Sequence, residues 1–269
     1  MNSDPRHLGK ILDRFTETAD VFAKTVRTTR VEEGQRLAEY ATAGMRNPEK
    51  LLAIDVACGP GTFTRPLAGR VGKAIGVDLT PAMVEKARAE AAHDGIVNIE
   101  FVSGDIYALP FADNFADIVS CGYAVHHMTE PRRALAEMAR VARPGGRLAI
   151  TDIIVPEGCD GAFQNDVERV RDPSHTITQS VASFRAMIAD LGMRAVSEHV
   201  HDNWHDFDVW MGNAGKAPGD PVYVETRALM ERRIGDGGSS GFNPRRTEKF
   251  PSGLEFMHTV LLLIAEKVG

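Results

Sequence analysis

The sequence has 269 residues, 43% of them hydrophobic and 25% charged, and a formal net charge of -6. That length fits one large domain or a domain with a substantial elaboration, and the apolar share is sufficient for a core. The negative balance without a Lys/Arg run excludes a nucleic-acid surface, the apolar run from Val260 to Ala265 is too short for a membrane span, and three cysteines without paired spacing exclude a disulfide framework and a zinc site.

Leu8 to Tyr40 reads as two helices with a mixed polar face. From Leu51 to Val155, short apolar runs alternate with helical patterns, which predicts a parallel sheet with crossover helices. The first strand is Leu51 to Ala57, apolar throughout as expected where helices cover both faces. The second, Ala74 to Val77, ends at Asp78, and a helix follows with Thr80 as N-cap and Pro81 at its first position, reaching about Ala92. Strands are predicted at Ile99 to Val102 and Ala116 to Cys121. A helix from about Pro131 to Ala142 stops at Pro144-Gly145-Gly146, and a fifth strand runs from Arg147 to Ile154. Beyond it come a helix over Ser183 to Leu191, an alternating strand over Ala195 to His201, a long polar insertion over 202–253 with a Gly-rich stretch at 235–241, and a final strand from Leu254 to Val268.

Gly59 and Gly61 directly follow the first strand and precede a helix expected near Thr62. A loop there must turn sharply and let a ligand touch backbone, which glycine allows. Two acids extend the pattern. Asp78 lies 19 residues beyond Gly59, at the end of the second strand, where a carboxylate can accept ribose hydroxyls. Asp105, in Ser103-Gly104-Asp105-Ile106, is placed to accept from an adenine amino group. A dinucleotide site would want a third glycine at position 64, where Thr64 stands, and Phe63 crowds the helix start a pyrophosphate would need.

Five ordered segments carry a resemblance: Asp55-Val56-Ala57-Cys58-Gly59-Pro60-Gly61, Val77 to Met83, Gly104 to Phe111, Phe115 to Val119, and Arg143-Pro144-Gly145-Gly146. The chain resembles the class I S-adenosylmethionine-dependent methyltransferases, in the branch of the UbiE-like quinone-biosynthesis and small-molecule enzymes. The resemblance implies an α/β, Rossmann-like, seven-stranded and mainly parallel sheet whose last strand, here Leu254 to Val268, is inserted antiparallel. It also implies helical lid elements. As domains, we expect an N-terminal helical lid over 1–48 and the methyltransferase domain over 49–269, with insertions at about 156–182 and 202–253.

Position by position, the resemblance implies that Asp55 and the backbone of Ala57, Gly59 and Gly61 hold the methionine part of S-adenosylmethionine. Asp78 binds the ribose, with Leu79 and Met83 beside the adenosine. Gly104, Asp105 and Ile106 meet the adenine, and Cys121 lies near the methyl donor. Phe15 and Thr16 belong to the lid. Arg171-Asp172-Pro173-Ser174-His175 matches a segment seen in part of the branch.

Displacement at a sulfonium methyl needs the acceptor within about 3–3.5 Å in a dry, aligned pocket, and a general base helps where the acceptor is a hydroxyl or acidic carbon. His126 and His127 follow the fourth strand, so His126 is the first candidate base, with His127 and then His175 behind it. Each also has a plain structural reading, ordering the turn or hydrogen-bonding a lid. Tyr123 either orients an acceptor or packs, and Asp152 either lines the pocket or satisfies backbone. His199, His201 and His205 with nearby aspartates lack any ordered metal-ligand spacing, so no metal is expected. Cys58, Cys121 and Cys159 read as small packing residues rather than a metalloid or thiol site.

The expected function is methyl transfer to oxygen or carbon of a small-molecule acceptor. Its rivals are a non-catalytic S-adenosylmethionine-binding regulator and, behind it, a nicotinamide-dependent oxidoreductase. No nucleic-acid partner and no membrane span are expected. A cytoplasmic location follows from that reading, with a homodimer as the assembly to test.

Overall fold

The computed structural model describes residues 5–268; Met1 to Asp4 and Gly269, the outermost residues of the two expected domains, lie outside the described residues. Three helices come first: α1 (Pro5–Glu17), α2 (Ala19–Thr29) and α3 (Val31–Thr42). Two helices had been expected there; the chain breaks again at Thr18 and at Arg30, which lies between α2 and α3.

The alternating region follows with β1 (Leu52–Val56), α4 (Thr64–Ala68), β2 (Lys73–Asp78), α5 (Pro81–His93), β3 (Ile99–Ser103), β4 (Ala116–Gly122), α6 (Pro131–Val141) and β5 (Ala142–Val155). β5 begins five residues earlier than expected, running through Pro144-Gly145-Gly146, because Ala142 already pairs with Ala116 before a register irregularity. Gly146 is required there: a Cβ would stand 2.9 Å from the carbonyl oxygens of Arg143 and Asp117. The remainder is α7 (Gly161–Arg171), β6 (Gln179–Ser180), α8 (Val181–Asp190), β7 (Met193–Asp206), α9 (Phe207–Asn213), α10 (Pro221–Glu231), β8 (Arg245–Arg246) and β9 (Leu254–Lys267).

The main sheet has the order β3-β2-β1-β4-β5-β9-β7. β1 to β5 are parallel, while β9 is inserted between β5 and β7 and runs antiparallel to both. This is the expected seven-stranded arrangement, with two-residue strands β6 and β8 added at the rim. Alternate residues feed opposite faces. Ile54, Val119, Ile150 and Leu263 join Leu135 and Met138 of α6 and Phe184 and Ile188 of α8 in one core. Ala53, Ile118, Ala149 and Leu262 meet Leu37 and Ala41 of α3 and Leu67 of α4 on the other. Arg147 of β5, itself buried, donates through Nη1 to the carbonyls of Ala41 (3.0 Å) and Ala43 (2.7 Å), fastening the end of α3 to the sheet.

The stretch expected to be a polar insertion is substantially folded. The strand expected over 195–201 extends to Asp206, because β9 offers an unbroken antiparallel partner as far as Glu255. The residues beyond it build a core of their own: Phe207, Trp210, Met211, Tyr223, Met230 and Phe242 pack with Val167 of α7 and Leu254 and Phe256 of β9. The apolar residues are spread thinly among polar ones and converge only through tertiary contact. No helix among the described residues is long and apolar enough to cross a membrane.

Candidate active site

The loop after β1 is wound through the left-handed region at Ala57 (φ 54°), Gly59 (φ 52°) and Gly61 (φ 79°). The two glycines serve different sides. A Cβ on Gly59 would meet only the Phe22 ring, at 3.9 Å, so this face is clear for a ligand; one on Gly61 would stand 3.0 Å from Phe101 in the interior. Asp78 fixes the loop by accepting from the N–H of Gly59 (2.8 Å) with one oxygen and from the N–H of Thr80 (2.8 Å) with the other. Burial raises the Asp78 carboxyl, partly opposed by those two amides. Thr80 precedes α5 as expected, but its side chain makes no capping bond.

Asp55 is buried beneath the loop and accepts from Thr64 Oγ1 (2.7 Å) and Ser120 Oγ (2.8 Å). Burial raises its pKa to about 6 against the pull of those hydroxyls. It therefore ties the loop's far end to β4 instead of facing the cavity.

One cavity lies between the carboxyl ends of β1 to β4 and the helices α1 and α2. Ala57, Gly59, Asp78 and Leu79 line it from the exits of β1 and β2, and Met83 from α5. Gly104, Asp105 and Ile106 line it beyond β3, and Phe15 from α1. Leu8, Ile11 and Phe15 sit at helical spacing on one face, which turns the neighbouring Thr16 out into solvent. Thr16 thus falls outside the expected contacts. Asp55, Gly61 and Cys121 also lie away from the cavity wall. Cys121 is fully buried beside β1, its thiol pushed well up by burial. The chain turns after it, and Tyr123 (φ 53°) is the residue of the β4 exit that faces the cavity. Gly122 makes room for this, since a Cβ there would lie 2.6 Å from the Phe63 ring that stacks on Tyr123 at 6.1 Å.

His126 and His127 both line the cavity from a short 3-10 turn, Val125–His127. Asp152 of β5, with no exposed surface, holds His126 twice: it accepts from the backbone N–H at 3.1 Å and contacts Nδ1 at 2.5 Å. Burial alone would lower the His126 pKa, but the Asp152 charge and hydrogen bond outweigh it and the net shift is upward. With Nδ1 engaged by a carboxylate, Nε2 is the nitrogen left for proton transfer.

His127 differs. Burial, then the charge of His126, lowers it to about 3, so it stays neutral while its Nδ1 contacts the Ser174 carbonyl at 3.1 Å. His175 stands behind them, its ring 5.6 Å from that of His126, with Nε2 at 2.8 Å from Asn165 Oδ1. Burial lowers it to about 4, and it lies outside the cavity lining.

The segment around His175 braces the turn. Thr176 Oγ1 donates to the carbonyls of His126 (2.8 Å) and Met128 (2.9 Å), and Asp172 accepts from the Ser174 N–H (2.9 Å) and hydroxyl (2.6 Å). Arg14 of α1 then joins three distant segments, donating to Asp172 Oδ2 at 3.1 Å and to the Asn213 carbonyl at 2.8 Å. Arg14, Asp172 and Asn213, together with Arg30 and Arg171, line the cavity and were not singled out as site residues from sequence. The Leu8-Ile11-Phe15 spacing could have pointed to Arg14, and the segment beginning at Arg171 to Asp172. Nothing in the local sequence marks Asn213, whose position depends on how α9 packs.

Residues 54–150 match the family described as Methyltransferase domain. The chain is 37% identical over 137 residues to the uncharacterized methyltransferase YcgJ of Bacillus subtilis, covering 51% of this chain and 54% of that protein. It is 29% identical over 156 residues to a demethylmenaquinone methyltransferase of Renibacterium salmoninarum, covering 58% of this chain and 62% of that protein. The chain therefore spans between about half and two-thirds of these relatives' lengths. The crystal structure of Bacillus subtilis YcgJ is similar over 88% of this chain and 99% of that one, with a TM-score of 0.75 at 26% identity.

Proposed function

We propose that this chain, built on a methyltransferase domain at 54–150, transfers a methyl group from S-adenosylmethionine to oxygen or an acidic carbon of a small-molecule acceptor. His126 acts as general base and Asp152 orients it. The observation that carries the reading is this pair, an imidazole on the cavity wall held at 2.5 Å by a buried carboxylate.

The residues present suit a nucleoside with an amino-acid tail. The open face of Gly59, the Asp78 carboxylate and the apolar Leu79, Met83 and Ile106 share one wall. Thr62 Oγ1, in the same wall, is buried without a hydrogen-bond partner among the described residues. When bound, S-adenosylmethionine supplies an electrophilic sulfonium methyl. The chain's own contribution is to position and to exclude water: Leu8, Ile11, Phe15 and Phe22 close the cavity from the helical side. With Nδ1–H directed to Asp152, His126 Nε2 takes the acceptor's proton, and the carboxylate stabilises the imidazolium that forms.

In this reading 1–48 is the lid and 49–269 the catalytic domain, elaborated at about 156–182 and 202–253. The similarity to a demethylmenaquinone methyltransferase favours a quinol or phenol-like acceptor. Three free cysteines suit the reducing cytoplasm.

Calorimetry with S-adenosylmethionine, followed by transfer of labelled methyl across phenol, quinol and hydroxy-acid acceptors, tests the proposal. His126→Ala should lower turnover by about tenfold or more while cofactor affinity barely moves. Unchanged turnover would remove His126 as the base, and absence of cofactor binding would end the reading.

A further inference from the structure

A second cavity, of about 580 Å³ and open to solvent, shares no lining residue with the first. It forms where β5 and β6 end. These two strands pair in parallel, Ile154 with Gln179 and Val155 with Ser180, and a helix follows each of them. Gly161 and Ala162 at the start of α7 line the cavity, as do Ser180 and Ser183 at the start of α8. Gly161 lets α7 begin close to the strand end, since a Cβ there would stand 3.1 Å from the Val155 side chain. Helix N-termini at the carboxyl ends of parallel strands are where α/β sheets hold anions.

The two helix ends differ. Asp160 caps α7 with a carboxylate that accepts from the Phe163 N–H at 3.0 Å. α8 has only the neutral Ser180, whose hydroxyl accepts from the Ser183 N–H at 3.1 Å, and no acid in its first turn. The leading N–H groups of such a helix find no acceptor within it. A second observation meets this one. Thr178 lines the cavity at 3% exposure, and its hydroxyl has no hydrogen-bond partner among the described residues. The Thr178 N–H is already taken by Asn165 Oδ1 at 2.6 Å, so the side chain is the part left to meet a ligand. Arg169 of α7 adds charge to the same wall; its Nη1 pairs with Asp166 at 3.0 Å, an exposed contact that a bound anion can replace.

Arg169 also reaches the His126 turn. Its Nε (3.2 Å) and Nη2 (3.0 Å) donate to the Thr176 carbonyl, and the Thr176 N–H donates in turn to the His126 carbonyl at 2.9 Å. An anion that draws the guanidinium toward the cavity competes with the Thr176 carbonyl. We propose that the second cavity is an effector site for a small molecule carrying an oxyanion, phosphate or carboxylate. Arg169, the Thr178 hydroxyl and the N-terminus of α8 hold the anion, and its presence is passed to the His126 turn through Thr176. The site stands apart from the methyl-transfer reading, since neither the cavity nor its readouts involve the cofactor.

Calorimetry on the full chain at low ionic strength, with inorganic phosphate, methyl phosphate and acetate as probes, tests the site. Saturable binding is expected. Arg169→Gln should weaken it by about tenfold or more, the loss of a charge-assisted bond, while Arg169→Lys keeps the charge and recovers part of the affinity. Thr178→Val should weaken it by about two- to tenfold and leave the melting curve unchanged, because the hydroxyl it removes has no partner in the folded chain. Asp166→Asn removes a competing carboxylate and should tighten binding by up to about fivefold. Methyl phosphate ahead of acetate assigns a phosphorylated ligand, and the reverse order a carboxylate one. Proton NMR reads the turn: the His126 Cε1–H signal shifts as phosphate saturates the parent.

Failure of all three probes to saturate the parent would overturn the proposal. So would binding that Arg169→Gln and Thr178→Val leave unchanged, which puts the anion elsewhere on the chain. Weaker binding in Asp166→Asn would also overturn it, because the ligand would then be one that a carboxylate holds. If phosphate binds as expected while the His126 signal stays in place, the link to the turn falls and the effector role with it. Should Arg169→Gln lower the melting temperature, Thr178→Val and Asp166→Asn decide the site, since they change affinity in opposite directions.

Discussion

Replacing Asp152 by asparagine isolates what the buried carboxylate does for His126, because shape is kept and charge is lost. One Asp152 oxygen serves both His126 Nδ1 (2.5 Å) and the N–H of Ile153 (2.8 Å), while the other accepts the N–H of His126 (3.1 Å). An amide has only one acceptor oxygen. Placed toward Nδ1, it leaves the backbone N–H of His126 facing an NH2 group. Placed the other way, it strands the N–H of Ile153 and forces the imidazole proton onto Nε2, which removes the lone pair a base requires. Either way one buried donor loses its partner, at a cost of about 1–3 kcal/mol. The pKa consequence has a definite sign. Burial is the largest influence on His126 and lowers it, so without the Asp152 charge the group falls below the ordinary histidine value.

In the parent, the folded pKa of His126 is raised, so its stabilisation is present below the unfolded value and disappears as pH rises through the folded one. The melting-temperature difference between parent and Asp152→Asn should therefore be wider at about pH 6 than at about pH 9. Proton NMR titration of the histidine Cε1–H signals, assigned with His126→Gln, reads the pKa directly. A His126 titration that stays in place in Asp152→Asn, or a melting difference that widens with pH, would refute the reasoning.

Two further perturbations probe the supports of the site. Gly122→Ala drives a Cβ to 2.6 Å from Phe63, so the ring and the Tyr123 stacked on it must move; a loss of about 1–3 kcal/mol in urea unfolding and weaker S-adenosylhomocysteine binding are expected. Glu168 accepts from His258 at 2.9 Å in the core; burial pushes its carboxyl up, but His258 and Arg171 reverse this and hold it well below the ordinary range. Its stabilisation is thus present above the unfolded glutamate value and lost as pH falls toward the folded one, and Glu168→Ala should cost about 3–5 kcal/mol near neutral pH, less in acid.

The part of the cavity under the β1 loop was legible because its residues stand within a few positions of strand ends. Ala57, Gly59, Asp78 and Asp105 each follow an apolar run whose period announces the strand, so sequence position and spatial position coincide. The cavity lining differs from the expected contacts where facing direction matters. Cys121 lies two residues before the cavity-facing Tyr123, with the end of β4 and the left-handed turn at Tyr123 (φ 53°) between their directions, and Thr16 lies one residue from Phe15, where a single step along a helix turns a side chain away. Asp55 lies at the expected loop but beneath it, since sequence does not reveal that the Thr64 and Ser120 hydroxyls donate to its oxygens. The residues over 207–253 were read as polar and irregular because their helical runs are short: Phe207, Trp210 and Met211 keep a helical spacing within a helix of seven residues, and Phe242 lies in neither helix nor strand.

That contrast bears on how the two walls of the cavity respond to substitution. The loop wall rests on contacts between neighbouring strands, β1 with β2 and β4. The opposite wall is assembled across the chain: Arg14 reaches Asp172 over 158 positions and the Asn213 carbonyl over 199. Asn213 is held there by α9, whose Phe207, Trp210 and Met211 are packed in the aromatic core beside β9. A change in that core, far from any reacting atom, shifts the end of α9 and with it the partner of Arg14. In the proposed reading, acceptor choice therefore responds to packing residues that carry no chemistry, while the loop and the His126–Asp152 pair stay as they are.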